Sequence, residues 1–307
     1  MKSSFLEQLK KSSYLLLLPF ILLLPACGGG GGSETNPGPG PDPDPLLCGQ
    51  AIPDATCKTI PVGAIGDRHF FFYEPATRAD LAPVVIMLHG APGSPMSVDN
   101  YLDGRDFADT NGYLAVFPQG QGNFAWSSSV AATSEISPDS QFVSAIIDDL
   151  ISNHQADADQ IFVAGFSAGG FMVYQLACEI PQKLTAAVAI AGQLRGSLQA
   201  CNAPSPLAIH HIHGTNDNDV PSTGRADGIK SVDETLALWQ AINNCDTSSE
   251  ESESFFITPD NKTAVTISYQ NCQAPLQYTR VNGGVHEQVY DIGVLHTLMQ
   301  SFFSPTL

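Results

Sequence analysis

Short apolar runs and helix-period apolar stripes alternate along most of this chain. Phe70-Phe71-Phe72-Tyr73 reads as an early strand that Glu74-Pro75 ends, and Pro83–Leu88 is a continuous apolar run suited to a central strand buried on both faces. Tyr113–Phe117, residues 161–165, Ala186–Ile190 and Leu207–Ile212 follow as further strands, with Thr263–Tyr269 and Gln277–Val281 late in the chain. Between them lie helical patterns: a weak one near Phe107–Thr110, then Ser140–Ser152, where Phe142, Val143, Ile146, Ile147 and Leu150 form one stripe. Pro138 and Asp139 stand at its start, where a proline enters the first turn and an acid suits the positive end. Helices are also expected from the turn at Ser167 to about Glu179, from Ser231 to Ile242, and over Ile292–Phe303. This alternation predicts an α/β fold: a mostly parallel sheet with helices on both faces and ligands at the carboxyl ends of its strands.

The N-terminus departs from that pattern. Lys10 and Lys11 precede the apolar stretch Tyr14–Leu24, which ends at Leu24-Pro25-Ala26-Cys27 and is short for a membrane span. It resembles a bacterial lipoprotein signal, residues 1–26, with cleavage before Cys27 and acylation of that cysteine; a plain secretory signal and an uncleaved anchor are the other readings. Residues 27–47 run through Gly28–Gly32 and a Pro-Gly-Pro-Asp repeat with almost no apolar side chains, and read as a tether. Gly28 after Cys27 is not acidic, and by resemblance to lipoprotein sorting this implies an exported protein anchored at the outer membrane or cell surface. Residues 48–307 then suffice for one α/β domain with a full core.

From Cys27 onward the chain has 10 Lys and Arg against 30 Asp and Glu, a net charge of −20. Such a charge repels a phosphate backbone, so nucleic acid is not expected as a partner, and a membrane is expected only through the lipid anchor. Six cysteines remain after Cys27, an even number behind an export signal, which favours disulfides. Proximity in sequence suggests Cys48–Cys57, Cys178–Cys201 and Cys245–Cys272. The spacing contains no C-x-x-C element, so zinc is not expected. The run His210-His211-Ile212-His213 lacks accompanying acids and is read as packing or turn bonding, with His211 and His213 on one strand face.

The chemistry is concentrated at strand ends. Gly165-Phe166-Ser167-Ala168-Gly169 lies between an apolar strand and a helical stretch, the setting in which a serine is exposed as a nucleophile on a sharp turn. Upstream, Pro83–Leu88 runs into His89-Gly90-Ala91-Pro92-Gly93; downstream, Leu207–His211 runs into His213-Gly214-Thr215-Asn216-Asp217, and Gly283-Gly284-Val285-His286 lies near the C-terminus. Oxyanion loop, Ser, Asp, His is the chain order of α/β-hydrolases. Ser167 is therefore expected as nucleophile, His286 as its base and Asp217 as the group that orients His286, with Asp219 the competitor for the last role. The backbone N–H groups of Ala91 and Ala168 are expected to form the oxyanion hole. Trp126 is expected either as an aromatic wall of the substrate cleft or as a core residue. His89 is placed beside the substrate and is read as an organiser of the oxyanion loop. Residues 91–107, 120–140 and 222–230 are read as the loops that set pocket width.

These pieces together resemble the secreted esterase family typified by polyhydroxybutyrate depolymerases, LpqC-like lipoproteins and related feruloyl and acetylxylan esterases. The resemblance rests on Leu88-His89-Gly90, Phe117-Pro118-Gln119-Gly120 with Trp126, Ser140–Leu150, Gly165–Gly170 with Met172, and Ala191-Gly192. It continues through His213-Gly214-Thr215-x-Asp217-x-x-Val220-Pro221 and Gly283-Gly284-x-His286. It spans about residues 65–300 and implies an α/β-hydrolase that uses Ser167, Asp217 and His286 without a cofactor or metal to hydrolyse carboxylic esters. Glu287-Gln288-Val289-Tyr290-Asp291 stands where relatives often carry Trp-Pro-Gly, and Ala91-Pro92-Gly93-Ser94 where many carry cysteine and more glycine, so the substrate subclass is left open. A serine peptidase of the same fold, or a surface protein that kept the fold without activity, are the competing readings.

Overall fold

The computed structural model of the protein describes residues 51–121, 126–133, 135–201 and 205–304. The leader 1–26, Cys27, the tether 27–47 and Cys48, and with it the expected Cys48–Cys57 bridge, lie outside the described residues. The described residues all fall within one compact unit, Pro43–Leu307.

Its centre is a mixed sheet. Strands β1 (Thr56–Val62), β2 (Gly66–Tyr73), β3 (Ala82–Leu88), β4 (Leu114–Pro118), β5 (Ala156–Phe166) and β6 (Ala186–Ile190) come first. They are followed by β7 (Ala208–Gly214), β8 (Ser249–Glu251), β9 (Phe255–Phe256), β10 (Thr263–Tyr269) and β11 (Leu276–Val281). The spatial order is β1-β2-β4-β3-β5-β6-β7-β11-β10-β8, with β9 beside β10. Strands β4, β3, β5, β6, β7 and β11 are parallel, and antiparallel pairs close both edges. The chain runs from β3 to β4 on one side and then crosses to β5 on the other. The strand order therefore reverses between β3 and β5, the place where α/β sheets open a crevice for ligand.

Helices α1 (Pro95–Leu102), α2 (Gly104–Asn111), α3 (Pro138–Asn153), α4 (Ala168–Glu179), α5 (Val232–Ile242) and α6 (Ile292–Phe303) cover the sheet. The two faces are read off β3 residue by residue. Val84, Ile86 and Leu88 enter a core with Phe142, Met172 and Trp239 from α3, α4 and α5. Val85 and Met87 enter a second core with Leu102, Phe107 and Phe303 from α1, α2 and α6. Alternation along a strand sends neighbours to opposite faces, and both faces here are dry, which is why the run is apolar throughout.

The disulfides Cys178–Cys201 and Cys245–Cys272 form as sequence proximity suggests. Three expectations change. The stretch 91–107 is not a loop: Ser94 and Ser97 form a reciprocal cap, Pro95 occupies the first turn, and α1 results. The nucleophile strand begins at Ala156, five residues earlier than its apolar run, because its polar first half pairs only where Ala156 meets Ala82. Strand β1, in which only Cys57 and Val62 are buried, pairs with β2 across a short turn and is a polar edge strand that the apolar runs do not mark.

Candidate active site

Ser167 stands between the end of β5 and the first residue of α4, with φ 55° and ψ −115°. An L-residue adopts that conformation at a steric cost, and the surrounding chain enforces it. Gly169 shows how tightly: a Cβ there would lie 2.0 Å from the carbonyl oxygen of Leu88 at the end of β3, so only glycine lets the turn pass. The turn brings Ser167 beside the β3 loop at the sheet's reversal point.

The other two expected members come from β7 and β11, which are parallel neighbours. Their following loops are tied together: Asn216 N–H donates to Gly284 O at 2.8 Å and Gly283 N–H to the Thr215 hydroxyl at 2.9 Å. This places Asp217 and His286 side by side although 69 residues separate them in sequence. His286 Nδ1 donates to Asp217 Oδ2 at 2.7 Å, and the Ser167 hydroxyl donates to His286 Nε2 at 2.8 Å. Asp219 does not occupy this position; its backbone N–H donates at 3.0 Å to Asp217 Oδ1, which also accepts from Val220 N–H at 2.8 Å. Burial pushes the Asp217 carboxyl upward. The hydrogen bonds from His213, His286 and Val220 outweigh it and hold the group well below the usual carboxylate range.

Behind Asp217 the histidine strand forms a buried polar chain. Tyr174 hydroxyl meets His211 Nδ1 at 3.0 Å, His211 Nε2 meets His213 Nδ1 at 3.1 Å, and His213 Nε2 lies 2.9 Å from Val220 O and 3.4 Å from Asp217 Oδ2. A carbonyl only accepts, so His213 Nε2 carries a proton. A neutral His213 then accepts at Nδ1 from His211 Nε2–H, and His211 accepts from Tyr174. Burial, with His213 and His210 nearby, holds His211 well below the ordinary histidine range, in keeping with a neutral ring. The strand-face reading of His211 and His213 is correct; their connection to Asp217 was not foreseen.

A cavity of about 770 Å³ opens at Ser167 and His286. Ala91 and Ala168, the two expected oxyanion donors, both line it. The N–H of Ala168 belongs to the first turn of α4 and has no intrahelical acceptor. Trp126 is nearly buried yet also lines the cavity, and its indole N–H donates to His89 O at 2.8 Å. His89 is corrected as a substrate contact: it is fully buried and does not line the cavity. Its Nδ1 meets Gly90 O at 2.7 Å and its Nε2 accepts from Gly120 N–H at 3.0 Å, so it staples the β3 loop to the β4 loop. Burial lowers its pKa to about 4, which keeps it neutral and able to accept.

The three stretches expected to set pocket width all contribute to the cavity wall, through Tyr101, Trp126 and Arg225 among others, whereas Arg195 lies outside them. Tyr101 comes from α1 and packs against Phe166 with tilted rings, centroids 4.3 Å apart. The serine-capped proline at residues 94–97 was the available signal. Arg195 and Arg225 also line the cavity, on segments whose turns carry no helix or strand period.

Comparison with known proteins agrees with this geometry. Residues 75–237, more than half of the chain, match the model of a family described as phospholipase/carboxylesterase. A bifunctional acetylxylan esterase/xylanase of Neocallimastix patriciarum is 30% identical over 49% of this chain and 22% of its own length. Feruloyl esterase B of Piromyces equi is 25% identical over 67% of this chain and 40% of its own. The chain thus spans less than half of these relatives. The acetyl xylan esterase of Aspergillus awamori superposes with a TM-score of 0.63 at 16% identity, over 81% of this chain and 99% of that one, which is a likeness of fold.

Proposed function

Because the chain belongs to the phospholipase/carboxylesterase family, we propose that it is a serine hydrolase of carboxylic esters working through an acyl-enzyme. The observation that carries this reading is the unbroken hydrogen-bond line from the Ser167 hydroxyl through His286 to Asp217, at 2.8 and 2.7 Å.

Each group has a defined task. Asp217 fixes the ring of His286 with its proton on Nδ1, so Nε2 is free to take the serine proton as Ser167 Oγ attacks the ester carbonyl. The N–H groups of Ala168 and Ala91 receive the oxygen that becomes negative in the tetrahedral intermediate. On collapse His286 returns the proton to the departing alcohol, and a second cycle with water in place of Ser167 frees the acid. The depressed pKa of Asp217 keeps it ionised, so it stabilises the imidazolium formed in each half-reaction.

The cavity volume falls in the range of sites for ligands well above the size of an acetyl ester alone. This supports esters derived from polymers or oligomers, of the polyhydroxyalkanoate, feruloyl or acetyl-xylan kind, as the substrate class. The lipoprotein-like leader and Cys27 support an exported, lipid-anchored enzyme that meets such fragments at the cell envelope. Loss of palmitate labelling on Cys27→Ser would bear out that placement; unchanged labelling would rule it out.

The function is tested by hydrolysis of nitrophenyl acetate and butyrate, methyl ferulate, acetylated xylo-oligosaccharide, hydroxybutyrate oligomers and a peptide anilide, by the protein and by Ser167→Ala. Serine-dependent turnover of esters supports the proposal and ranks the subclasses. Turnover of the anilide alone would favour a peptidase, and no turnover with intact disulfides would favour a non-enzymatic protein.

A further inference from the structure

The two chain neighbours of Ser167 pack towards different walls of the cavity. Phe166 packs against Tyr101 and lies 5.2 Å, ring to ring, from His286. Ala168 packs instead on a small cluster of Phe171, Val220 and Ile229. Ile229 is bridged to Arg195, and Arg225 N–H donates to Ile229 O at 2.8 Å, so the second wall ends in two guanidinium groups. The acids lining the cavity divide in the same way. Glu287 acts electrostatically on Tyr101, whereas Asp219 acts on Arg225.

Arg195 is unusual within this acidic chain. Of the six arginines, Arg68, Arg78, Arg105, Arg225 and Arg280 each have a carboxylate within 4 Å. Arg195 has neither ion pair nor side-chain hydrogen bond among the described residues, although it is only partly exposed and lines the cavity. Asp227, the nearby acid, is held by Arg225 at 2.6 Å and acts on Arg195 only through its charge, without an ion pair. The root of Arg195 is held from both sides. Its carbonyl accepts from Val130 N–H at 2.9 Å, Lys230 N–H donates to Leu194 O at 2.9 Å, and Gly196 N–H donates to Gly228 O at 2.8 Å. A fixed backbone carrying an unpaired planar guanidinium in the wall of a site is suited to donating two parallel hydrogen bonds to a carboxylate.

We propose that the ester taken by this site carries a carboxylate on one arm, bound by Arg195 with Arg225 beside it, while the other arm lies against Tyr101 and Phe166. The substrate class is an acidic ester, one whose acyl or alcohol part ends in a free carboxylate. This rests on the ester-hydrolase reading and narrows it.

Two matched pairs of esters test it and tell the arms apart. In 4-acetoxybenzoate against 4-acetoxybenzamide the carboxylate sits on the alcohol side; in monoethyl adipate against its ω-carboxamide it sits on the acyl side. The readout is the ratio of kcat/KM, charged over neutral, for the wild type, Arg195→Ala, Arg195→Lys and Arg195→Glu. The wild type is expected to favour the charged member of one pair about ten-fold at low salt, with the ratio falling as salt screens the charge. Arg195→Ala should bring the ratio to about one, Arg195→Lys should retain part of it, and Arg195→Glu should invert it. A wild-type ratio near one in both pairs, or a ratio that none of the substitutions changes, overturns the proposal.

Failure of the underlying activity is recognised separately, as no Ser167-dependent turnover of either neutral ester. In that case calorimetric binding of 4-hydroxybenzoate against 4-hydroxybenzamide decides. Tighter binding of the acid, lost in Arg195→Ala, sustains the carboxylate site, and equal binding removes it.

Discussion

His211 Nε2 and His213 Nδ1 lie 3.1 Å apart in the dry interior, and both rings are fully buried. Two histidines on one strand face thereby form a directed pair: the carbonyl of Val220 fixes the proton on His213 Nε2, and His213 then fixes the tautomer of His211. The pair ends 3.4 Å from Asp217, so the carboxylate that bonds to His286 is itself held in place.

Removal of the His213 donor should reduce activity without abolishing substrate binding. A hydrogen bond to a charged group is worth about 1.5–3 kcal/mol, so His213→Leu is expected to lower kcat about ten-fold or more with KM little changed. His213→Gln, which keeps an N–H near the Nε2 position, should recover part of the loss. Tyr174→Phe should act on stability instead, by about 1–3 kcal/mol for the unpaired His211 nitrogen. Steady-state kinetics beside urea unfolding separate the two effects, and equal losses in all three variants would contradict the chain.

The choice between neighbouring acids is equally testable. In serine hydrolases with this trio, changing the orienting acid to its amide lowers turnover about 10⁴-fold, and Asp217→Asn is expected to do the same. Asp219→Asn should leave turnover close to wild type, because only the backbone N–H of Asp219 enters the network. A large loss in Asp219→Asn with a small one in Asp217→Asn would reverse the assignment.

Stability should fall on mild acidification. His89 has its pKa lowered from 6.5 to about 4 by burial, and His210 from 6.5 to about 3 by the same cause. The unfolded chain takes up these protons near pH 6.5, whereas the folded chain resists until about pH 4 for His89 and about pH 3 for His210. Between those limits the unfolded state binds more protons, so stability decreases as pH falls through the window and levels off below it. The His89 contribution is on the order of 3 kcal/mol. Asp217, whose pKa is depressed, loses its contribution only further down, below the ordinary carboxylate range. Urea unfolding at pH 7, 5.5 and 4.5 should show the first decline, and a flat profile would contradict it.

Each disulfide should stabilise the fold through the loop it closes. Cys178–Cys201 spans 23 residues and Cys245–Cys272 spans 27, for which the chain-entropy model gives about 3 kcal/mol each. Cys178→Ser with Cys201→Ser, and the matching change at Cys245 and Cys272, are expected to lower unfolding free energy by about that amount. Urea unfolding of each double variant beside the wild type checks this, and unchanged stability in either would contradict it.

Gly169 should tolerate no side chain. The Leu88 carbonyl 2.0 Å from its missing Cβ is backbone at the end of a central strand and has no free direction to move. Gly169→Ala is expected to lose more than about 3 kcal/mol and to give little soluble protein; a well-folded variant with native melting temperature would contradict the packing.

The sequence by itself determined the central strands and most of the helices, and it singled out Ser167, Asp217 and His286, the three side chains that the structure joins in one hydrogen-bonded line. These are local signals: apolar runs demanded by a sheet covered on both faces, glycines demanded by a tight turn, and the order of motifs along the chain. Two disulfides were legible because their partners are close in sequence. The tertiary structure decided what local signals do not encode. It put the Asp217 loop beside the His286 loop through the β7–β11 pairing, chose Asp217 over Asp219, buried His89 away from the cavity, and aligned Tyr174, His211 and His213 behind the carboxylate. It also left Arg195, at the cavity wall, without an ion pair among the described residues. Which charge finds a partner depends on distances between segments remote in sequence, and those distances exist only once the chain has packed.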